Sequence, residues 1–150
     1  MRSFILLLVL CGVVHSKGFA SDGEVIKVLP QFLDQKGHHA LSPSLFERDA
    51  YQAFLRKHPA QISGVRFSLH WKAATESDAP LKLRIEVRPA KDISNPVIRE
   101  VAVKKPRFGG RWSSIELVGK DYEAVGEILA WRASLLSGDR VIGEQSSFLW

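Results

Sequence analysis

From position 64 onward, apolar and polar side chains alternate with a period of two. Val65, Phe67, Leu69 and Trp71 interleave with Arg66, Ser68, His70 and Lys72, and Leu81, Leu83, Ile85 and Val87 interleave with Lys82, Arg84, Glu86 and Arg88. Successive side chains of a strand point to opposite faces, so this rhythm predicts strands with one dry and one wet face. Further strands are predicted over 24–34, 97–104, 112–118, 127–136 and 140–150. The first carries Pro30, which suits a sheet edge, where a missing N–H breaks no ladder. In the sixth, Leu129, Trp131, Ala133 and Leu135 share the face expected to be dry. Turn chemistry separates these runs: Asp34-Gln35-Lys36-Gly37, the polar stretch 74–80 closed by Pro80, a helical turn over 119–126 bounded by glycines, and the Ser137-Gly138-Asp139 hairpin.

One segment breaks the rhythm. Phe46, Ala50, Ala53, Phe54 and Lys57 fall at steps of three and four, which predicts a helix near 44–58 with an inward aromatic stripe and Arg48, Gln52 and Arg56 on the wet side. Ser44 and Glu47 have the spacing of a capping box, in which the serine oxygen accepts a backbone N–H and the glutamate reaches back to the serine amide. Acids in the first turn and Arg56, Lys57 and His58 in the last suit the helix dipole, and Pro59 ends the helix.

Seven short strands at close intervals leave no room for crossover helices. The fold class expected is therefore all-β with one inserted helix, an antiparallel β-sandwich of about seven strands. Trp71 and Trp131 on separate inward-facing strands, Tyr122 before the penultimate strand, and a final hairpin closing on Phe148-Leu149-Trp150 give the chain its likeness. Over residues 24–150 it resembles immunoglobulin-like or fibronectin-type-III-like domains. It departs from them in having no cysteine pair, in placing Tyr122 in a helical turn and in carrying the extra helix. The run Trp131 to Arg140 with Phe148-Leu149-Trp150 also looks like small uncharacterised exported bacterial proteins. The resemblance implies an architecture and no activity.

Ahead of this domain, Arg2 precedes the apolar run Phe4 to Val14, with small residues at Ser16, Gly18 and Ala20. These are the parts of a secretory signal, and the run is shorter than the roughly 20 apolar residues a bilayer span needs. The organisation expected is a signal peptide over 1–20, cleaved after Ala20 or alternatively after Ser16, and a single sandwich domain over 21–150. The localisation expected is export, periplasmic or secreted. Leu8-Val9-Leu10-Cys11 looks like a lipobox, but Leu10 stands where that pattern wants a small residue, so lipoprotein anchoring is the lesser alternative. Cys11 is the only cysteine, so a processed chain would have no disulfide, thiolate nucleophile or cysteine-bound zinc.

Charge adds little. The full chain carries +5, and removing Arg2 and Lys17 leaves 19 basic against 16 acidic residues, an ordinary solubility charge that does not announce a nucleic-acid binder.

Two stretches offer binding chemistry. In Lys104, Lys105, Arg107, Phe108, Arg111 and Trp112, cations interleave with aromatics on a loop, where the charges can meet an anionic polymer while the rings stack. On the wet faces, Arg66, His70, Lys72, Lys82, Arg84 and Arg88 form a basic sheet face if the two central strands pair. Lysines and arginines on strands also resist edge-to-edge aggregation, the plainer reason for their presence.

His38 and His39, four and five residues after Asp34, invite a metal or catalytic reading. Adjacent side chains on a strand point apart, however, and neither HExxH nor a carboxylate cluster accompanies them. No metal, cofactor, nucleophile elbow or phosphate loop is expected. The function expected is a non-catalytic exported interaction module that binds an envelope protein, an anionic polymer or a surface through loops and a basic sheet face. Membrane contact is expected only if Cys11 is lipidated. The alternatives are a small hydrolase built around Asp34, His38 and His39, and a purely structural subunit.

Overall fold

A computed structural model describes residues 22–74 and 79–150. The predicted signal segment with Cys11, and positions 75–78 of the polar loop, lie outside the described residues.

The alternating runs become seven strands: β1 (Gly23–Asp34), β2 (Ile62–Ala73), β3 (Leu81–Pro89), β4 (Val97–Val103), β5 (Arg111–Val118), β6 (Ile128–Ser137) and β7 (Arg140–Ser146). They form two antiparallel sheets, ordered β1-β2-β5 and β4-β3-β6-β7. The connections β2 to β3, β4 to β5 and β5 to β6 therefore pass from one sheet to the other, as in Greek-key sandwiches. The proline-bearing β1 is an edge strand, as its sequence predicts.

The dry faces meet between the sheets. Val65, Phe67, Leu69 and Trp71 of β2, with Ile115 and Leu117 of β5, pack into one core with Leu81, Leu83, Ile85 and Val87 of β3 and Ala133 and Leu135 of β6. Each large aliphatic or aromatic side chain removed from water contributes about 1.5–3 kcal/mol, so this layer is the main stabilising feature. Trp71 is fully buried, and its indole N–H donates to Ser113 Oγ at 3.0 Å. Trp131 meets Phe67 edge-on across the layers, with ring centroids 6.4 Å apart. Leu129 departs from its expected dry position. The β3–β6 register shifts between Arg88 and Pro89 beside it, and it remains 40% exposed.

Helix α1 (Leu45–Lys57) forms where expected but docks through a different face. Gln52 and Leu55 are buried and Arg48 and Tyr51 half-buried, while Ala50, Ala53 and Phe54 are exposed and Phe46 is 82% exposed. The cause is polar. As an edge strand, β1 has backbone groups without a strand partner, and Gln52 supplies one by bonding both the N–H and the C=O of Phe32. Ser44 occupies the N-cap position but makes no side-chain cap bond, so the predicted capping box does not close. At the far end a 3-10 turn, Pro59–Gln61, leads into β2.

Helix α2 (Lys120–Val125) spans the β5–β6 connection between Gly119 and Gly126 and packs Tyr122 against the core. The β6–β7 turn has Gly138 at φ +60°, a conformation that costs a residue without Cβ nothing. The last strand is shorter than expected. It ends at Ser146, and the tail returns so that Trp150 lies against Arg88 and Arg132.

Candidate functional site

Register places three rows of side chains on the outer face of the β1-β2-β5 sheet. Gln31, Arg66 and Glu116 form one row, Leu29, Ser68 and Ser114 the next, and Lys27, His70 and Trp112 the third. Over the first row lie α1, carrying Arg48, and the segment between β1 and α1, carrying His39. The result is an open groove of about 370 Å³ lined by Leu29, Gln31, His39, Arg48, Arg66, Ser68, Trp112, Ser113 and Ser114.

Its two ends differ in chemistry. At one end Arg66 holds Glu116 at 2.6 Å, and its Nη1 lies 3.2 Å from His39 Nδ1. An arginine only donates, so His39 Nδ1 is the acceptor and the ring proton sits on Nε2. Burial, then the nearby charges of Arg66 and Arg48, hold the His39 pKa below the usual histidine value, against a smaller opposing effect of Glu116. Arg48 has no carboxylate partner among the described residues.

At the other end Trp112 stacks on His70, with centroids 5.0 Å apart and planes 12° from parallel, and stays 50% exposed. Gly110 lies close against the same imidazole. A Cβ built there would stand 2.4 Å from His70 Nε2, so only glycine lets the loop backbone approach the imidazole so closely. Between the ends, Ser68 Oγ donates to Gln31 Oε1 at 3.2 Å.

The basic sheet face does not assemble as expected. Its condition was that the two central strands pair, and β2 and β3 belong to different sheets. Arg66, His70 and Lys72 therefore lie on the outside of one sheet and Lys82, Arg84 and Arg88 on the outside of the other. Neighbouring strands also supply acids. Arg66 pairs with Glu116, Lys72 with Glu24 at 2.6 Å, and Lys82 and Arg84 share Glu100 at 3.4 and 2.6 Å. Those two cations hold the Glu100 carboxyl below its ordinary pKa, chiefly through the Arg84 bond. Arg88 lies 4.3 Å from the centre of the Trp150 ring.

The 104–112 loop is divided too. Trp112 points onto the outer face beside His70, while Phe108 is 91% exposed and apart from it, and Arg111 Nη1 donates back to the Lys104 carbonyl at 3.5 Å. Lys104 and Arg107 lie exposed on the same connection, with Lys105 half-buried. Trp112, Arg66 and His70 are thus the expected binding residues that the fold brings together. Sequence reading missed Lys27, Leu29, Gln31, Ser114 and Arg48. The strand members need the register to be seen, whereas Arg48 carried a usable signal, since it stands four residues before Gln52 on the same helical face.

The Asp34, His38 and His39 trio separates. Asp34 Oδ1 accepts the backbone N–H groups of Lys36 and His38, each at 2.8 Å, and Oδ2 accepts the Tyr51 hydroxyl at 2.7 Å. The carboxylate thereby ties the turn after β1 to helix α1. His38 Nδ1 lies 3.6 Å from Asp34, while His39 turns to Arg66 in the groove. Among the described residues, no group of three His, Cys, Asp or Glu side chains is placed to hold a metal ion, and no helix is long and apolar enough to cross a membrane. The chain matches no family model, and no curated protein or solved structure matches it.

Proposed function

We propose that the protein is a non-catalytic, exported interaction module that binds an anionic polymer along the outer face of its three-stranded sheet. The observation that carries this reading is the groove itself. An exposed tryptophan, braced by a parallel histidine, lies at one end, and an arginine without a carboxylate partner lies at the other. Aromatic platforms combined with cations along a groove favour extended, charged chains, each contact being modest and the sum depending on salt. Lys27, across from His70 in the β1–β2 register, adds charge at the aromatic end. The resemblance to a secretory signal in residues 1–20 supports export, and the Greek-key crossings between the sheets support the immunoglobulin-like reading of the sandwich.

Retention of the purified protein on immobilised anionic polymers, eluted with rising salt, tests this reading. Arg48→Glu, Lys27→Glu and Trp112→Ala are expected to elute far earlier than the parent protein. The pair Lys104→Glu and Arg107→Glu, on the neighbouring loop, changes elution less. Groove variants that elute with the parent protein sink the reading.

A further inference from the structure

We infer that the polymer is an acidic polysaccharide, with one sugar ring stacked on Trp112 and a carboxylate further along the chain held by Arg48. This inference rests on the groove being the binding surface.

Three features select this chemistry. First, the groove offers one flat platform rather than a series. His70 stacks on the Trp112 ring from one side, with Gly110 close against the imidazole, and the exposed side of the indole suits the apolar face of a single sugar. A single-stranded nucleic acid would be served by successive stacking rings and by cations that follow every phosphate.

Second, the charges are sparse and mixed. The Arg66 row lies four residues along β2 from the His70 row, about 13 Å at the rise of a strand. Between them the floor is Leu29, Ser68 and Ser114, without a charge, and Gln31 stands beside Arg66 in the cationic row. Glu116 stands in the cationic row itself, 2.6 Å from Arg66. A chain with a charge on every unit meets that carboxylate as a repulsion. A chain rich in hydroxyls meets it as an acceptor.

Third, the groove offers both donors and acceptors. Serine hydroxyls and a glutamine amide do both, as sugar hydroxyls require, whereas a polyanion of simple carboxylates uses donors alone. Arg48 is left to take the ligand's charge, and an arginine fork matches a carboxylate with two parallel hydrogen bonds.

The test is a titration of the 15N-labelled protein, at fixed ionic strength, with a hyaluronan tetrasaccharide, in which each uronate alternates with an uncharged sugar, its methyl ester, polyglutamate and an oligothymidylate. The uronate is expected to shift the Trp112 indole N–H and the Ser68 and Ser114 amides. Trp112→Ala is expected to lower its affinity about tenfold or more, which corresponds to ~1.4 kcal/mol. Arg48→Gln abolishes the preference for the acid over the ester, with the melting temperature confirming that each variant is folded, and Trp112→Phe retains part of the binding if the alanine variant is not.

Polyglutamate or oligothymidylate binding the same residues as tightly as the uronate overturns the glycan assignment and leaves the groove as the binding surface. Equal affinity of the parent protein for acid and ester overturns the carboxylate contact. No shift in the groove with any of the four probes overturns the inference together with the reading beneath it.

Discussion

Gln52 makes two hydrogen bonds to the backbone of one residue, Phe32. Its Oε1 accepts the Phe32 N–H at 2.8 Å and its Nε2 donates to the Phe32 carbonyl at 2.9 Å. Nε2 also donates to the His39 carbonyl at 2.8 Å. One buried amide thus completes the edge of β1, anchors α1 and holds the segment that brings His39 to the groove.

Gln52→Leu leaves those three backbone groups without their partner and is expected to cost about 1–3 kcal/mol. Gln52→Glu keeps the shape and can still accept from Phe32, but as a carboxylate it donates to neither carbonyl, so it should also destabilise. Urea unfolding measures both. Because Arg48 shares this helical face, amide exchange in α1 should speed up in each variant, and an unchanged exchange pattern would show that the helix is held by other contacts.

The Asp34–Tyr51 bond predicts an acid response. Asp34 is held below its ordinary carboxyl pKa, first by the Tyr51 hydroxyl and then by the backbone N–H groups of His38 and Lys36, with partial burial opposing. The same bond raises the Tyr51 phenol. A carboxyl with a depressed folded-state pKa binds fewer protons in the native than in the unfolded state. Its stabilisation is therefore complete above the ordinary value near 3.8 and is lost as the pH falls through the lower folded one. Tyr51→Phe should return Asp34 toward its ordinary value and move the acid-unfolding midpoint to higher pH, with the difference between the two proteins vanishing at the acid extreme. Tryptophan fluorescence followed against pH reads this directly, and identical midpoints would contradict it.

Trp131 tests the packing between layers. It contacts Phe67 edge-on and packs against the core from a half-buried position. Trp131→Ala should cost about 3 kcal/mol, the lower end of the range for large aromatics because part of the ring is already in water. A urea midpoint unchanged by the substitution would mean that the ring contributes little to the core.

Period two was enough to read the strands. The dry faces of β2 and β3 carry uniform large apolar residues, so a pattern of one face in and one out has a single solution. Helix α1 was legible in extent and not in orientation. Its apolar stripe of Phe46, Ala50 and Phe54 competed with a polar clamp at Gln52, and hydrophobic spacing cannot reveal that an edge strand needs a donor and an acceptor beside it. The groove was legible only in part for a related reason. Trp112, Arg66 and His70 stood out as residue types, but the pairing of Arg66 with Glu116 and of His70 with Trp112 joins positions 50 and 42 residues apart in the chain, and register is set by the fold. Strand pairing also put an acid beside Arg66, Lys72, Lys82 and Arg84, and the two-sheet topology divided the expected basic face.

Trp150 carries the last prediction. The guanidinium carbons of Arg88 and Arg132 lie 4.3 and 4.6 Å from the centre of its ring. Arg132 of β6 is held by Glu86 of β3 at 2.6 Å, whereas Arg88 has no carboxylate partner among the described residues, and the Nε of each arginine is buried without a hydrogen bond. The ring thus compensates one cation that lacks other support and covers a second that has it. Partly desolvated cation–π contacts contribute about 0.5–1 kcal/mol each, so Trp150→Ala should destabilise the fold by roughly 1 kcal/mol or somewhat more. The asymmetry is the sharper expectation. In double-mutant cycles, Trp150 should couple to Arg88 more strongly than to Arg132, since Glu86 keeps Arg132 in place when the ring is gone. Equal coupling to the two arginines would mean that the ion pair with Glu86 does not position Arg132, and no coupling to either would mean that the tail does not rest on this face in solution.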